Sequence, residues 1–157
     1  MSTPVIEHIA ANLATVIEGI TTAGGYNQTL TVIRPRRQDY EDVSLDDGVC
    51  LVTAGDESPV DSAIGTDQWD QEFFLGCIVL DDDDAETSID TRINQVKSDI
   101  RKALAVEMDT GDMLGGLALD ILRGPATKFD DGDGLSGVVL SCVVSYRTVA
   151  GDPYTAV

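Results

Sequence analysis

Residues 69–80 set the terms for any fold this chain can adopt. The stretch reads Trp-Asp-Gln-Glu-Phe-Phe-Leu-Gly-Cys-Ile-Val-Leu, and its last eight residues form the longest nearly unbroken apolar run in the sequence. Much of it is apolar on both faces, which marks a central strand covered on each side. The run is far shorter than the ~20 residues that a bilayer-spanning helix requires. A sheet has to be built around it, and the rest of the chain must supply its neighbours and its cover.

Two amphipathic helices are available as cover. In residues 4–22, Val5, Ile6, Ile9, Leu13, Val16, Ile17 and Ile20 recur at three- and four-residue steps and share one face. Thr3 is placed to cap this helix, Pro4 suits its first position, and Gly24-Gly25 stops it. In residues 88–106, Ile89, Ile93, Val96, Ile100 and Leu104 give a second stripe, with Thr87 or Ser88 as cap. Acids at 81–84 precede this helix, and Lys97, Arg101 and Lys102 lie in its later half, as the helix dipole favours.

The remaining strands fall at 29–36, 49–53 and 117–122, followed by a long last strand. There Val138, Leu140, Cys142, Val144 and Tyr146 alternate with Val139, Ser141, Val143, Ser145 and Arg147. Asp46-Asp47-Gly48 suits a tight turn into the second strand. Residues 54–68 have little periodicity and read as a long mobile loop, or as the tip of an extended hairpin. Gly124-Pro125 closes the fourth strand, and 130–134 form an acidic turn. The pattern predicts one α+β domain over 1–157, two helices packed on a mostly antiparallel sheet of about five strands. The order is α-β-β-β-α-β-β, with an extended C-terminal tail from 151.

A chain of 157 residues buries roughly 70% of its unfolded surface on folding, so neither disulfides nor metals are needed to hold it. Its 28 acidic residues face 10 basic ones, for a net charge of −18. Such a surface repels phosphates and anionic lipid, which argues against free nucleic acid as a high-affinity ligand and against a membrane as a partner. No basic region precedes the apolar residues at the start, so no targeting segment is read there. Cys50, Cys77 and Cys142 lie far apart in strand-like stretches and read as buried thiols in a reducing compartment.

Catalytic motifs find little support. Gly132-Asp133-Gly134-Leu135-Ser136-Gly137 matches GxGxxG, but a strand follows it, and Asp130, Asp131 and Asp133 would repel a pyrophosphate. The same turn and residues 81–84 have the oxygen ligands for Ca²⁺ but lack the full loop pattern, and solvated loops are the simpler reading. His8 is the only histidine, on a helix surface, so no histidine cluster can hold a metal. No carboxylate pair is singled out for acid–base work. No cofactor or metal is expected. Arg34, Arg36 and Arg37 stand out in so acidic a chain. They read either as a solvated strand end or as a basic patch that docks on an acidic face of a neighbouring copy, the kind of head-to-tail contact that can close into a ring.

One resemblance spans most of the chain. An N-terminal helix closing on Gly-Gly-Tyr leads into Thr-Leu-Thr-Val-Ile-Arg-Pro at 29–35. The central strand opens on Trp69 and ends in an acidic run. The second helix carries Ile93-Asn94, and the chain closes on Val144-Ser145-Tyr146-Arg147 and Gly151-Asp152-Pro153-Tyr154. Together these features resemble the tail terminator and tail-completion proteins of long-tailed bacterial and archaeal viruses. The resemblance implies a non-enzymatic virion protein, made in the host cytoplasm and located at the head-proximal end of the tail. It would form a ring, commonly of six copies, that caps the tail tube and stops its polymerisation. Its partners would be itself, the tail tube protein and the head–tail connector or stopper, with genomic DNA only passing through the lumen. Arg34, Arg36, Arg37 and Arg147 become candidates for subunit contacts. Asp56, Glu57, Asp67, Asp152 and Tyr154 become candidates for contacts with tube or connector. Another head–tail joining or minor tail subunit is the alternative, with a small carboxylate- or calcium-dependent enzyme behind it.

Overall fold

A computed structural model describes residues 2–34, 48–80, 87–130 and 134–157. Helix α1 (Val5–Glu18) is followed by a 3₁₀ turn (Thr22–Gly24), then strands β1 (Thr31–Ile33), β2 (Val49–Ala63) and β3 (Thr66–Leu80). Helix α2 (Ile89–Asp109) and a single-turn element, α3 (Met113–Gly116), lead to β4 (Ala118–Asp130), β5 (Leu135–Val149) and β6 (Asp152–Ala156). The sheet order is β1-β2-β3-β5-β4, with β6 added to β5. Among the described residues, only β1 and β2 run parallel; every other pairing is antiparallel. The fold is α+β with a mostly antiparallel sheet, as the pattern predicts.

The core lies between the two long helices and one face of the sheet. Val5, Ile9, Leu13 and Ile17 of α1 and Ile93, Val96, Ile100 and Leu104 of α2 meet Val52, Phe73, Leu75, Cys77, Val138, Leu140, Cys142 and Val144 there. Strand alternation makes this possible: Phe73 pairs with Cys142, Leu75 with Leu140 and Cys77 with Val138, all on the helix side. One polar residue joins them. Asp99 sits in the apolar stripe of α2 at 2% exposure and accepts hydrogen bonds from the Asn27 and Gln28 amides and the Asn27 side chain. It pins the link between α1 and β1 to α2.

The helix ends differ in detail from expectation. Pro4, not Thr3, is the N-cap of α1, and no side chain caps that end. The helix stops at Glu18, and the 3₁₀ turn, capped by Thr21, carries the chain to Gly25 in the left-handed region. Ser88 does cap α2, accepting from the Thr91 amide at 3.3 Å. The glycine-rich turn holds a backbone irregularity: buried Leu114 has φ 50°. Its amide donates to Glu107 of α2 at 2.6 Å and its carbonyl accepts from Asn12 of α1 at 2.8 Å, so both helices hold the strained residue in place.

The sheet departs from expectation more. It has six strands. Residues 54–63 and 66–68 are strand, so this stretch takes the extended-hairpin form rather than a loop, turning at Ile64-Gly65. Gly124-Pro125 does not end β4. The strand passes through them with a shift in register between Arg123 and Ala126, which an edge strand tolerates because an outward N–H can be lost there. The C-terminal tail folds back as β6, pairing Val149 with Asp152 and Thr148 with Ala156. β3 is central, between β2 and β5, but among the described residues helices cover one face only. On the other face Phe74 is 37% exposed, while Ile78 is buried.

Candidate functional site

The β2–β3 hairpin outruns the helical cover. Val49, Cys50 and Val52 are buried, yet every residue from Asp56 to Gly65 is exposed. Within this arm, from Ala54 to Glu72, stand Asp56, Glu57, Asp61, Asp67, Asp70 and Glu72, with no lysine or arginine. Of the described bases, Arg92, Lys97, Arg101 and Lys102 are on α2, Arg123 and Lys128 are on β4, Arg34 follows β1, and Arg147 on β5 is the one that lies against the arm. α2 packs over β3, β5 and β4. The charge therefore divides across the sheet, with the β2 side acidic and the β4 side mixed.

Specific contacts hold the acidic arm in strand form. Register shifts fall between Ala54 and Glu57 and between Pro59 and Asp61. Buried Gln71 spans the first, its amide donating to the carbonyls of Gly55 at 2.9 Å and Glu72 at 2.8 Å. The Phe74 ring lies so close to Gly55 that a Cβ there would overlap it, which fixes glycine at the bulge. Tyr146 of β5 donates its hydroxyl to Glu57 at 2.6 Å. Burial, the hydrogen bond and the charge of Glu57 all push the Tyr146 phenol above its ordinary range. Ser145 bonds Asp70 at 2.5 Å. Asp56, Ser58, Asp70, Glu72 and Val143 line a shallow hollow on the face away from the helices. Among the described residues, no three metal-ligating side chains are grouped to hold an ion.

Among the described residues, both sides of the sheet end in open edges. Among the described residues, β1 pairs only with Val49, Cys50 and Leu51 of β2, and no strand pairs with the outer side of β4. These edges carry exposed apolar side chains: Val60 on β2, and Leu119 and Leu122 on β4.

The structure disperses the residues singled out by sequence. Arg34 follows β1 and pairs with Glu7 of α1 at 2.7 Å, which holds the Glu7 carboxyl below its ordinary range. Arg36 and Arg37 lie outside the described residues, as do residues 81–84 and most of the 130–134 turn. Arg147 is not beside Arg34. It sits on β5 against the acidic arm, donating to Gln68 at 3.1 Å and sharing a hollow with Asp61. Asp56 and Glu57 are on the arm. Asp67 accepts from the Gly151 amide at 3.0 Å, and Asp152 accepts from the Tyr154 amide and the Thr155 hydroxyl, so both stabilise the return into β6. Tyr154 is half-exposed at 52%.

The other sequence readings have plain outcomes. His8 is on the exposed side of α1. All three cysteines are buried and unbridged. Burial pushes the Cys142 thiol up to about 12, and a hydrogen bond from the Cys77 thiol to Cys50, its cross-strand neighbour, together with burial raises Cys77. Gly137 of the GxGxxG match lies inside β5, not at a helix start. The open edges were missed. One signal was there to read: no lysine or arginine occurs between Arg37 and Arg92.

Neither a family model nor a curated protein matches this chain.

Proposed function

We propose that this chain is a structural subunit that joins head to tail with copies of itself into a ring, of the kind that caps a viral tail tube. The observation that carries the reading is the sheet with two open edges that differ in charge. Unlike edges favour a contact that repeats in one rotational sense, which closes into a ring when the angle permits and extends as a filament when it does not. The sequence resemblance supplies the rest. It supports about six copies, a seat at the head-proximal end of the tail, and contacts with tube protein below and connector above.

No catalytic step belongs to this role. The acidic arm suits it in two ways. Carboxylates facing a lumen let DNA pass without sticking, and on an outer surface they keep unassembled subunits apart.

The test is the mass of the purified chain in solution at low and high salt, with electron microscopy for rings, repeated with polymerising tail tube protein. Rings that limit tube length are the expected result. A monomer under every condition that leaves tube length unchanged would overturn the reading. Rings that bind the connector and ignore the tube would move the protein to another head–tail joint.

A further inference from the structure

We infer that neighbouring copies meet by seating the outer edge of β4 in one copy against the outer edge of the β2 arm in the next. This rests on the ring reading above and names its contact. Three independent observations favour a second copy as the occupant of each edge.

The first is geometric. Among the described residues, β4 and the distal part of β2 have no partner on their outer sides, so alternate backbone N–H and C=O groups there face outward. Such edges are templates for another strand. The second is apolar exposure. Leu119 and Leu122 on β4 are 40% and 65% exposed, and Val60 on β2 is 51% exposed. Each edge thus offers apolar surface that the monomer leaves in water.

The third is charge. The outer arm of β2 carries Asp56, Glu57 and Asp61 with no base. β4 is mixed: it carries Asp120 and Asp130 beside Arg123, which is exposed and makes no ion pair among the described residues, and Lys128, whose partner Asp90 is on α2. Two β2 arms brought together would set carboxylates against carboxylates. A β2 arm against β4 gives those carboxylates a guanidinium and an ammonium. The like pairing sets only acids against acids, whereas the unlike one offers them two cations among the β4 charges, and this difference favours head-to-tail growth over a two-fold dimer.

Each edge also has a stop. Pro59 and Pro125 lack the N–H a ladder needs, and each lies at a register shift. Main-chain pairing is confined to short segments on either side, so side-chain charge decides the partner, and uncontrolled strand addition is blunted.

The experiment uses the full chain with Arg123→Glu, Asp61→Lys and both together, with ring content read by native mass and microscopy and folding checked by thermal unfolding. Each single change is expected to lower ring content about tenfold or more, and the double change to restore most of it. A second measurement avoids charge altogether. Val60→Cys combined with Leu122→Cys should give a ladder of inter-chain crosslinks with a bismaleimide, while the wild type, whose thiols are buried, should give none. Rings intact in both single variants, with no ladder from the cysteine pair, would overturn this contact and leave the ring reading standing. Absence of rings from the wild type in every condition, tube protein included, would overturn the ring reading itself.

Discussion

Gly137 shows how little room the sheet leaves at single positions. A Cβ there would overlap both the Phe129 ring and the Cys77 carbonyl, and the carbonyl cannot withdraw without moving β3. Gly137→Ala is expected to cost about 2–4 kcal/mol in urea unfolding. Tyr146→Phe, which removes the bond to Glu57, should cost about 1 kcal/mol near neutral pH. The phenol's pKa is raised by folding, so its contribution is complete below about pH 10 and is lost as pH climbs above that. Wild type should therefore lose stability faster than Tyr146→Phe between about pH 10 and 11, and equal slopes would refute the linkage. Burial of the thiols was legible from their apolar neighbours. The crowding at Gly137 was not, because the atoms that enforce it come from β3 and β4, far away in sequence.

At the scale of elements, legibility followed periodicity. Both long helices announce themselves through apolar residues every three or four positions, since one face of each is buried. Residues 54–63 gave no such sign. A strand exposed on both faces has no reason to alternate, and it holds its form through pairing with β3 and the Gln71 stitch, neither visible in one-dimensional pattern. β4 crosses Gly124-Pro125 for a related reason: at an edge, proline removes only an outward donor. Asp99 was readable in principle, as a carboxylate interrupting the apolar stripe between Val96 and Ala103. Asp99→Ala should cost about 2–4 kcal/mol, because it strands the Asn27 and Gln28 amides in a part-buried site. Thermal and denaturant unfolding would check this; a loss under ~0.5 kcal/mol would mean that water replaces the carboxylate. Arg34 and Arg147 do not cluster, because Arg34 follows the edge strand β1 while Arg147 lies within β5, between β3 and β4.

The whole molecule carries −18, concentrated rather than spread. Seventeen of its 28 acidic residues fall in the base-free stretch between Arg37 and Arg92. Screening this repulsion should raise the melting temperature as sodium chloride increases from low to moderate concentration, by several degrees. A flat or falling curve would show that attractive pairs outweigh repulsion. Strand order has a further consequence, for synthesis. β5 is made after β4 yet lies between β3 and β4, so β3, with its apolar run at 73–80, has an open side until residues 135–149 emerge. From Leu80 to Leu135 is roughly 55 residues, or about 3–11 s at ~5–20 residues per second on the ribosome. For those seconds the nascent chain exposes β3 to every other nascent chain nearby. A product halted at Asp130 would hold that exposure indefinitely, and should pellet where the full-length chain stays in the supernatant.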